Sequence, residues 1–232
     1  MKIRLAKNSG FCYGVKRAIQ IAKETVASGG RIHTLGPIIH NPQMVSELER
    51  KGISSVNSIE EVVEGDYVII RSHGVPESTL EALTEKKAIV VNATCPYVAK
   101  TQEHARKLNQ DGYSVFILGN REHPEVIGLK SYAGDNVKVI NDATEFPSGT
   151  FKRIGIIAQT TQIQEKLSDL VAVAVQHSPE MVVYNTICHA TAIRQQSTRE
   201  LATQSDLMII IGGRNSSNTC MLSKISEKYA ET

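Results

Sequence analysis

At 232 residues the chain is long enough for one large domain or two to three small ones. Its 41% hydrophobic and 22% charged residues match an ordinary soluble globular protein. A net charge of +2, no Trp and only 5% aromatics argue against a general nucleic-acid or anionic-membrane role, while leaving room for a local cluster that holds a small anion. No apolar run approaches the roughly 18 to 20 residues that cross a bilayer. The start MKIRLAKNSGFCYG is basic, but its apolar run is too short for a signal peptide. The expected compartment is the reducing cytoplasm, where the four widely spaced cysteines read as metal or catalytic ligands before disulfides.

Taken in chain order, the predicted elements form a repeat. A strand through Ile3 to Ala6 leads to Cys12 and a helix over GVKRAIQIAKETVASGG. The strand RIHTLG follows, then PIIHNPQMVSELERKG, whose apolar positions recur at helical spacing. A further strand in EGDYVIIRSHGV ends at Ser72, His73 and Gly74. The second copy runs through the strand AIVVNATC, the helix PYVAKTQEHARKLNQDG, the strand YSVFILG and the segment NREHPEVIGLKSYAG. Short strands VKVI and RIGIIAQTT come next, the latter ending at Gln159 and Thr160. The third copy has MVVYNTIC, the helix HATAIRQQSTRELATQS, the strand DLMIIIGG and RNSSNTCMLSKISEKYAE. It has no counterpart of YVIIRSHG or RIGIIAQTT, so the expectation is a chain that stops short of a complete third lobe.

The register is regular. Cys12, Cys95 and Cys188 each follow a strand-like run; Gly36, Gly119 and Gly212 close the next run 24 residues on; His40, His123 and Ser216 stand 28 residues after each cysteine. Strands alternating with helices predict parallel sheets, whose ligands bind beyond the carboxyl ends of the strands. The repeat is too long for a solenoid. The predicted fold is α/β, with three pseudo-threefold lobes carrying small parallel sheets around one centre: residues 1–94, 95–187 and an incomplete 188–232.

Three thiols at one register position point to a shared metal, zinc or iron–sulfur. Structural zinc sites use tight C-x₂₋₄-C pairs and four ligands, which this spacing lacks. Iron–sulfur clusters usually take four thiolates, so three would leave one iron open for chemistry. Cys220, out of register, reads as a packing residue. His40, His123 and His73, all at strand ends, are candidate donors to phosphate oxygens, as are the hydroxyls and amides of Ser216, Ser217 and Asn218 at a helix start. Glu125 is the best carboxyl candidate for a proton donor, and Thr160 for a residue that relays a proton or orients a hydroxyl. Thr191 reads as a helix cap or a donor toward sulfur. His104 and His177 read as ordinary solvated positions; His33 and His189 carry no assigned role.

On GFCYGVKRAI, HNP, RSHGV, ATCP, GNREHPEV, AQTT, CHATAIRQ and GGRNSSN, in this order and over the whole chain, the sequence resembles the 4-hydroxy-3-methylbut-2-enyl diphosphate reductases. The resemblance implies an oxygen-sensitive [4Fe–4S] cluster on Cys12, Cys95 and Cys188, with one iron open to the substrate hydroxyl. Two electrons and two protons would remove that hydroxyl as water through an allyl intermediate, giving isopentenyl and dimethylallyl diphosphates. By the family pattern His40, His73, His123, Ser216, Ser217 and Asn218 would hold the allylic diphosphate, Glu125 would supply the proton, and Thr160 would sit beside the hydroxyl. A ferredoxin or flavodoxin is the implied electron donor. The family's final strand, with a G-A-S-x-P-like motif whose serine also binds diphosphate, has no match in this sequence. Two other readings use the same cysteines: a zinc-dependent hydrolase or lyase, and a binding protein with a cluster as redox switch. The second leaves the residues at offset 28 without purpose.

Overall fold

Short apolar, β-branched runs separated by helical stretches become parallel strands, because helices on both faces bury every side chain of the run. The computed structural model describes residues 2–232. In the first repeat, α1 (Tyr13–Thr25), β1 (Ile32–Leu35), α2 (Pro42–Glu49), β2 (Ile53–Val56), β3 (Tyr67–Ile70), α3 (Glu77–Glu85) and β4 (Ile89–Asn92) build a four-stranded sheet in the order β2-β1-β3-β4. The second repeat supplies α4 (Pro96–Gln110), β5 (Ser114–Leu118), α5 (Pro124–Ala133), β6 (Val137–Ile140), β7 (Ile154–Ala158), α6 (Gln164–Ala174) and β8 (Met181–Val183). Its sheet runs β6-β5-β7-β8. All pairs in both sheets are parallel. The repeat therefore extends to strand order and to details: Gly36 N–H donates to Val56 O and Gly119 N–H to Ile140 O at the matching point.

Each sheet has an apolar layer on both faces. Ala18, Ile19, Ile32, Ile53 and Ile69 fill one side of the first sheet, with Val56, Val68, Ile70 and Leu83 on the other. In the second sheet, Leu108, Val115, Ile117 and Leu129 lie opposite Phe116, Leu118, Ile156 and Leu170. The missed elements β2, α3 and α6 are the least patterned; β2 reads ISSV, with its two serines between buried Ile53 and Val56. His33 is buried in the first sheet, its Nδ1 2.6 Å from Ser54 Oγ and its Nε2 3.2 Å from Asp66 Oδ2, so it ties three neighbouring segments together.

Three sequence-based expectations need correction. Residues 3–6 form no strand, with Ile3 83% and Leu5 84% exposed; a strand needs a neighbouring edge, and none lies beside this segment among the described residues. The run DLMIIIGG likewise forms no strand beyond a single bridge between Leu207 and Glu231. The third repeat thus consists of α7 (His189–Ala202) and α8 (Ser217–Ser226) joined by an extended segment, with no sheet among the described residues. His104 is half-buried rather than solvated, and stacks on Tyr184 with ring centres 3.9 Å apart.

Candidate functional site

The cysteines are helix starts. Cys12, Cys95 and Cys188 are the N-cap residues of α1, α4 and α7. Helix N-termini favour negative charge, so each thiol occupies a place suited to a thiolate. Two of them hang from strand ends: Cys95 N–H donates to Ser72 O just past β3, and Cys188 N–H to Thr160 O just past β7, both at 3.0 Å. All four cysteines are free and half-buried. Burial raises the Cys95 thiol above its ordinary pKa against the backbone N–H groups of Tyr97 and Val98, and the Cys12 and Cys188 sulfurs add to the rise. Gly14 lets α1 approach Cys95: a methyl group there would stand 2.5 Å from Cys95 Sγ.

The histidines at the ends of β1, β3 and β5 also meet. His40 and His73 ring centres lie 4.3 Å apart, and His123 is 5.6 Å and 5.5 Å from them. His123 caps α5, accepting from Glu125 N–H through Nδ1, with Pro124 as the first helical residue. His40 stands one residue before its helix, because Asn41 takes the cap of α2. Burial lowers all three pKa values, that of His123 to about 4, with their mutual repulsion and the nearby Arg71 guanidinium adding to it. The imidazoles are therefore neutral at pH 7. His40 Nδ1 and Nε2 and His73 Nδ1 are buried without hydrogen-bond partners among the described residues. One nitrogen from each ring lies within 4.8 Å of the others, a spacing that admits a cation. The Arg71 charge works against one and favours an anion. Arg71 itself escaped the sequence reading, although it opens the RSHG run just past the end of β3.

α8 closes this cluster. Ser216 caps it, accepting from Thr219 N–H at 3.3 Å, and Asn218 lies in its first turn. Ser217 Oγ is 2.8 Å from Thr161 Oγ1 and accepts from Gln159 Nε2 at 3.2 Å, so the third repeat is tied to the end of β7. A methyl group on Gly213 would be 2.7 Å from His40 O, which puts the loop before α8 against the first lobe.

Glu125 is hydrogen-bonded to His123 through its backbone N–H and to Thr160 through its carboxylate. Its carboxylate accepts from Thr160 N–H at 2.6 Å and from Thr160 Oγ1 at 2.9 Å, and the residue is 1% exposed. Burial pushes its pKa up to about 7 against these two bonds, which favour the anion. At neutral pH a share of the carboxyl is protonated, and Oε2–H can then donate to Thr160 Oγ1 in return. Ser217 is thus tied to the end of β7, the loop before α8 lies against His40 O, and Thr160 links the Glu125 carboxylate to the Cys188 backbone. Cys220 is elsewhere, donating from Sγ to Arg214 O.

Residues 3–232 match the family described as LytB protein. The 4-hydroxy-3-methylbut-2-enyl diphosphate reductase of Geotalea uraniireducens (strain Rf4) is 46% identical over 228 residues, covering 97% of this chain and 80% of that protein. The enzyme of the same name from Geobacter sp. (strain M21) is 47% identical with the same coverage. Among solved structures, (E)-4-hydroxy-3-methyl-but-2-enyl diphosphate reductase, described as the terminal enzyme of the non-mevalonate pathway, matches 98% of this chain and 83% of its own, with 43% identity and a TM-score of 0.75. The Plasmodium falciparum E-1-hydroxy-2-methyl-but-2-enyl-4-diphosphate reductase matches 96% of this chain and 72% of its own at 27% identity, with a TM-score of 0.89.

Proposed function

The chain belongs to the LytB family, and on that premise we propose how its residues divide the work of the family's reaction. The protein is an oxidoreductase, a 4-hydroxy-3-methylbut-2-enyl diphosphate reductase, acting at the last step of the non-mevalonate isoprenoid route. The allylic hydroxyl leaves as water, consuming two electrons and two protons and giving isopentenyl and dimethylallyl diphosphates.

The donor set fits a [4Fe–4S] cluster: three free thiols at helix starts, while Cys220 bonds to Arg214 O. Cys12, Cys95 and Cys188 would hold it. When bound, the cluster supplies the electrons and one open iron for the hydroxyl group. Neutral His40, His73 and His123 bind the diphosphate through ring N–H groups, and the α8 start adds Ser216, Ser217 and Asn218 on the far side. The Arg71 charge balances the anion. Glu125 delivers the proton, and Thr160 holds both the carboxylate and the departing hydroxyl in line. A ferredoxin or flavodoxin in the cytoplasm would feed the electrons; among the described residues no helix is long and apolar enough to cross a membrane.

One observation carries this reading. Thr160 donates twice to buried Glu125 and, through its carbonyl, seats Cys188, so the proton source and the thiol site share one residue. The test begins with anaerobic reconstitution followed by iron and sulfide analysis and a visible spectrum; colourless, iron-free protein would refute the cluster. Turnover is then assayed with the allylic diphosphate and a reduced low-potential dye, looking for both isomeric products. Glu125→Gln should keep substrate affinity and lose roughly 10²–10⁴-fold in turnover, the usual share of a proton donor. Equal loss of binding and turnover would remove Glu125 from that role.

A further inference from the structure

Thr191 lies three residues after Cys188 in the first turn of α7 and is 3% exposed. Two of its atoms reach that sulfur. Its Oγ1 is 3.0 Å from Cys188 Sγ, and its backbone N–H donates to the same sulfur at 3.4 Å. The repeat provides an internal control: at the same offset after Cys12 and Cys95 stand Val15 and Val98, of nearly the same shape but with a methyl in place of the hydroxyl. Cys95 is met at that offset by the Val98 backbone N–H but by no hydroxyl, and Cys12 makes no side-chain cap. Among the described residues, then, one sulfur of the three meets a hydroxyl and two do not.

Capping alone does not account for the hydroxyl, since a cap needs only the backbone N–H. Several helical threonines turn their hydroxyls to the carbonyl four residues back, as Thr25 does to Ile21 and Thr101 to Tyr97. At the first turn of α7 that option is missing, and a valine would serve the helix equally well, as it does in α1 and α4.

We infer that Thr191 is a positioning residue for the proposed cluster, donating its hydroxyl hydrogen to the Cys188 sulfur and raising the reduction potential of the group that sulfur holds. The inference rests on Cys188 being a cluster ligand. A ligating sulfur carries no proton, so Oγ1–H must be the donor. Donation draws charge from the sulfur and favours the state with one more electron; hydrogen bonds to sulfur are among the few levers a protein has on such potentials. In the one-electron step an electron passes from the external donor to the cluster, no proton moves, and Thr191 keeps its hydrogen.

The experiment compares wild type, Thr191→Val and Thr191→Ser after identical anaerobic reconstitution, measuring iron content, thermal midpoint and the midpoint potential by redox titration with dithionite and mediator dyes. Thr191→Val should load iron as wild type does and have the lower potential. At a fixed solution potential its reduced-to-oxidised ratio should fall about threefold to tenfold, a tenfold step being about 59 mV for a one-electron couple. Thr191→Ser should recover most of that loss. Fully loaded Thr191→Val with an unchanged potential would overturn the inference. A drop in iron content or thermal midpoint without a shift in potential would make Thr191 a structural residue only. Wild type that takes up no iron would instead bring down the cluster reading itself, and this inference with it.

Discussion

In the second lobe β5 lies between β6 and β7, and its side chains are covered on both faces; in the third repeat the equivalent residues run past the end of α7 with one bridge to Glu231. Leu118 and Ile211 hold the same register position, each one residue before the glycine that closes the run. Leu118 is 0% exposed and Ile211 is 92% exposed. Phe116 and Ile209, two residues earlier, are 1% and 76% exposed. Equal apolar content therefore gives a strand in one place and an open segment in the other. What differs is the company: a strand is stabilised by ladders on its edges and layers on its faces, and among the described residues, positions 207–211 have one bridge to Glu231 and one buried side chain, Met208. The largest effect expected from this contrast is at the buried member. Leu118→Ala should cost about 2–5 kcal/mol in urea unfolding, the range for deleting a fully buried leucine side chain. A loss under about 1 kcal/mol would mean that the second core tolerates a cavity and that the two regions are less different than their burial.

The same contrast explains what could be read from the sequence. Strands in both complete lobes were legible because VFIL, IGIIA and YVII are short apolar runs between turn residues, and both their faces are buried. Ile3–Ala6 and DLMIIIGG carry the same signal, but pattern cannot report whether a partner strand is present. β2 was hidden for the opposite reason, since it lies at the sheet edge and needs only its two end residues buried. For the proposed site, the repeat offset singles out His40, His123 and Ser216, and strand ends single out His73 and Thr160. Arg71 and Gln159 had no such marker as site residues. Their parts follow from three-dimensional neighbours: a guanidinium beside three imidazoles, and a buried amide that donates to Ser217 while accepting from Asn120 N–H.

A smaller effect separates the lobes by pH. The first two carry the three clustered histidines, while the proposed site residues of the third are hydroxyls and an amide that do not titrate. The folded-state pKa of His123 is lowered from 6.5 to about 4, and those of His40 and His73 are lowered as well. The folded protein therefore binds fewer protons than the unfolded chain below pH 6.5, and stability is lost as pH falls from 6.5 toward 4. Glu125 acts in the reverse sense, since its pKa rises from 4.5 to about 7 and the cost of burying it fades as pH falls through that window. Over pH 7.5 to 5 His123 loses and Glu125 recovers on the order of 2 kcal/mol each, so the two offset and the net loss comes from His40 and His73. Inorganic diphosphate should reverse the trend, because the bound anion stabilises imidazolium, so its protection in thermal unfolding grows as pH drops. His73→Asn should narrow the pH difference. If wild type and His73→Asn lose the same stability over this range, the acid sensitivity belongs elsewhere in the fold.

The smallest effect is expected at the open segment. Ile211→Ala removes a side chain that touches little, and surface substitutions of this kind stay within about 0.5 kcal/mol. The measurement has to be made beside Leu118→Ala under identical conditions, because the ratio of the two carries the information. Ile211 adjoins Gly212 and Gly213, the latter against His40 O, so the substitution also probes whether the loop before α8 depends on the apolar run that leads into it. If it does not, binding of inorganic diphosphate to Ile211→Ala equals that of wild type, and α8 is held by Ser217 against Gln159 and Thr161 alone. A loss of more than about 1 kcal/mol at Ile211 would show that the segment is covered in solution, since an exposed isoleucine has little burial to lose.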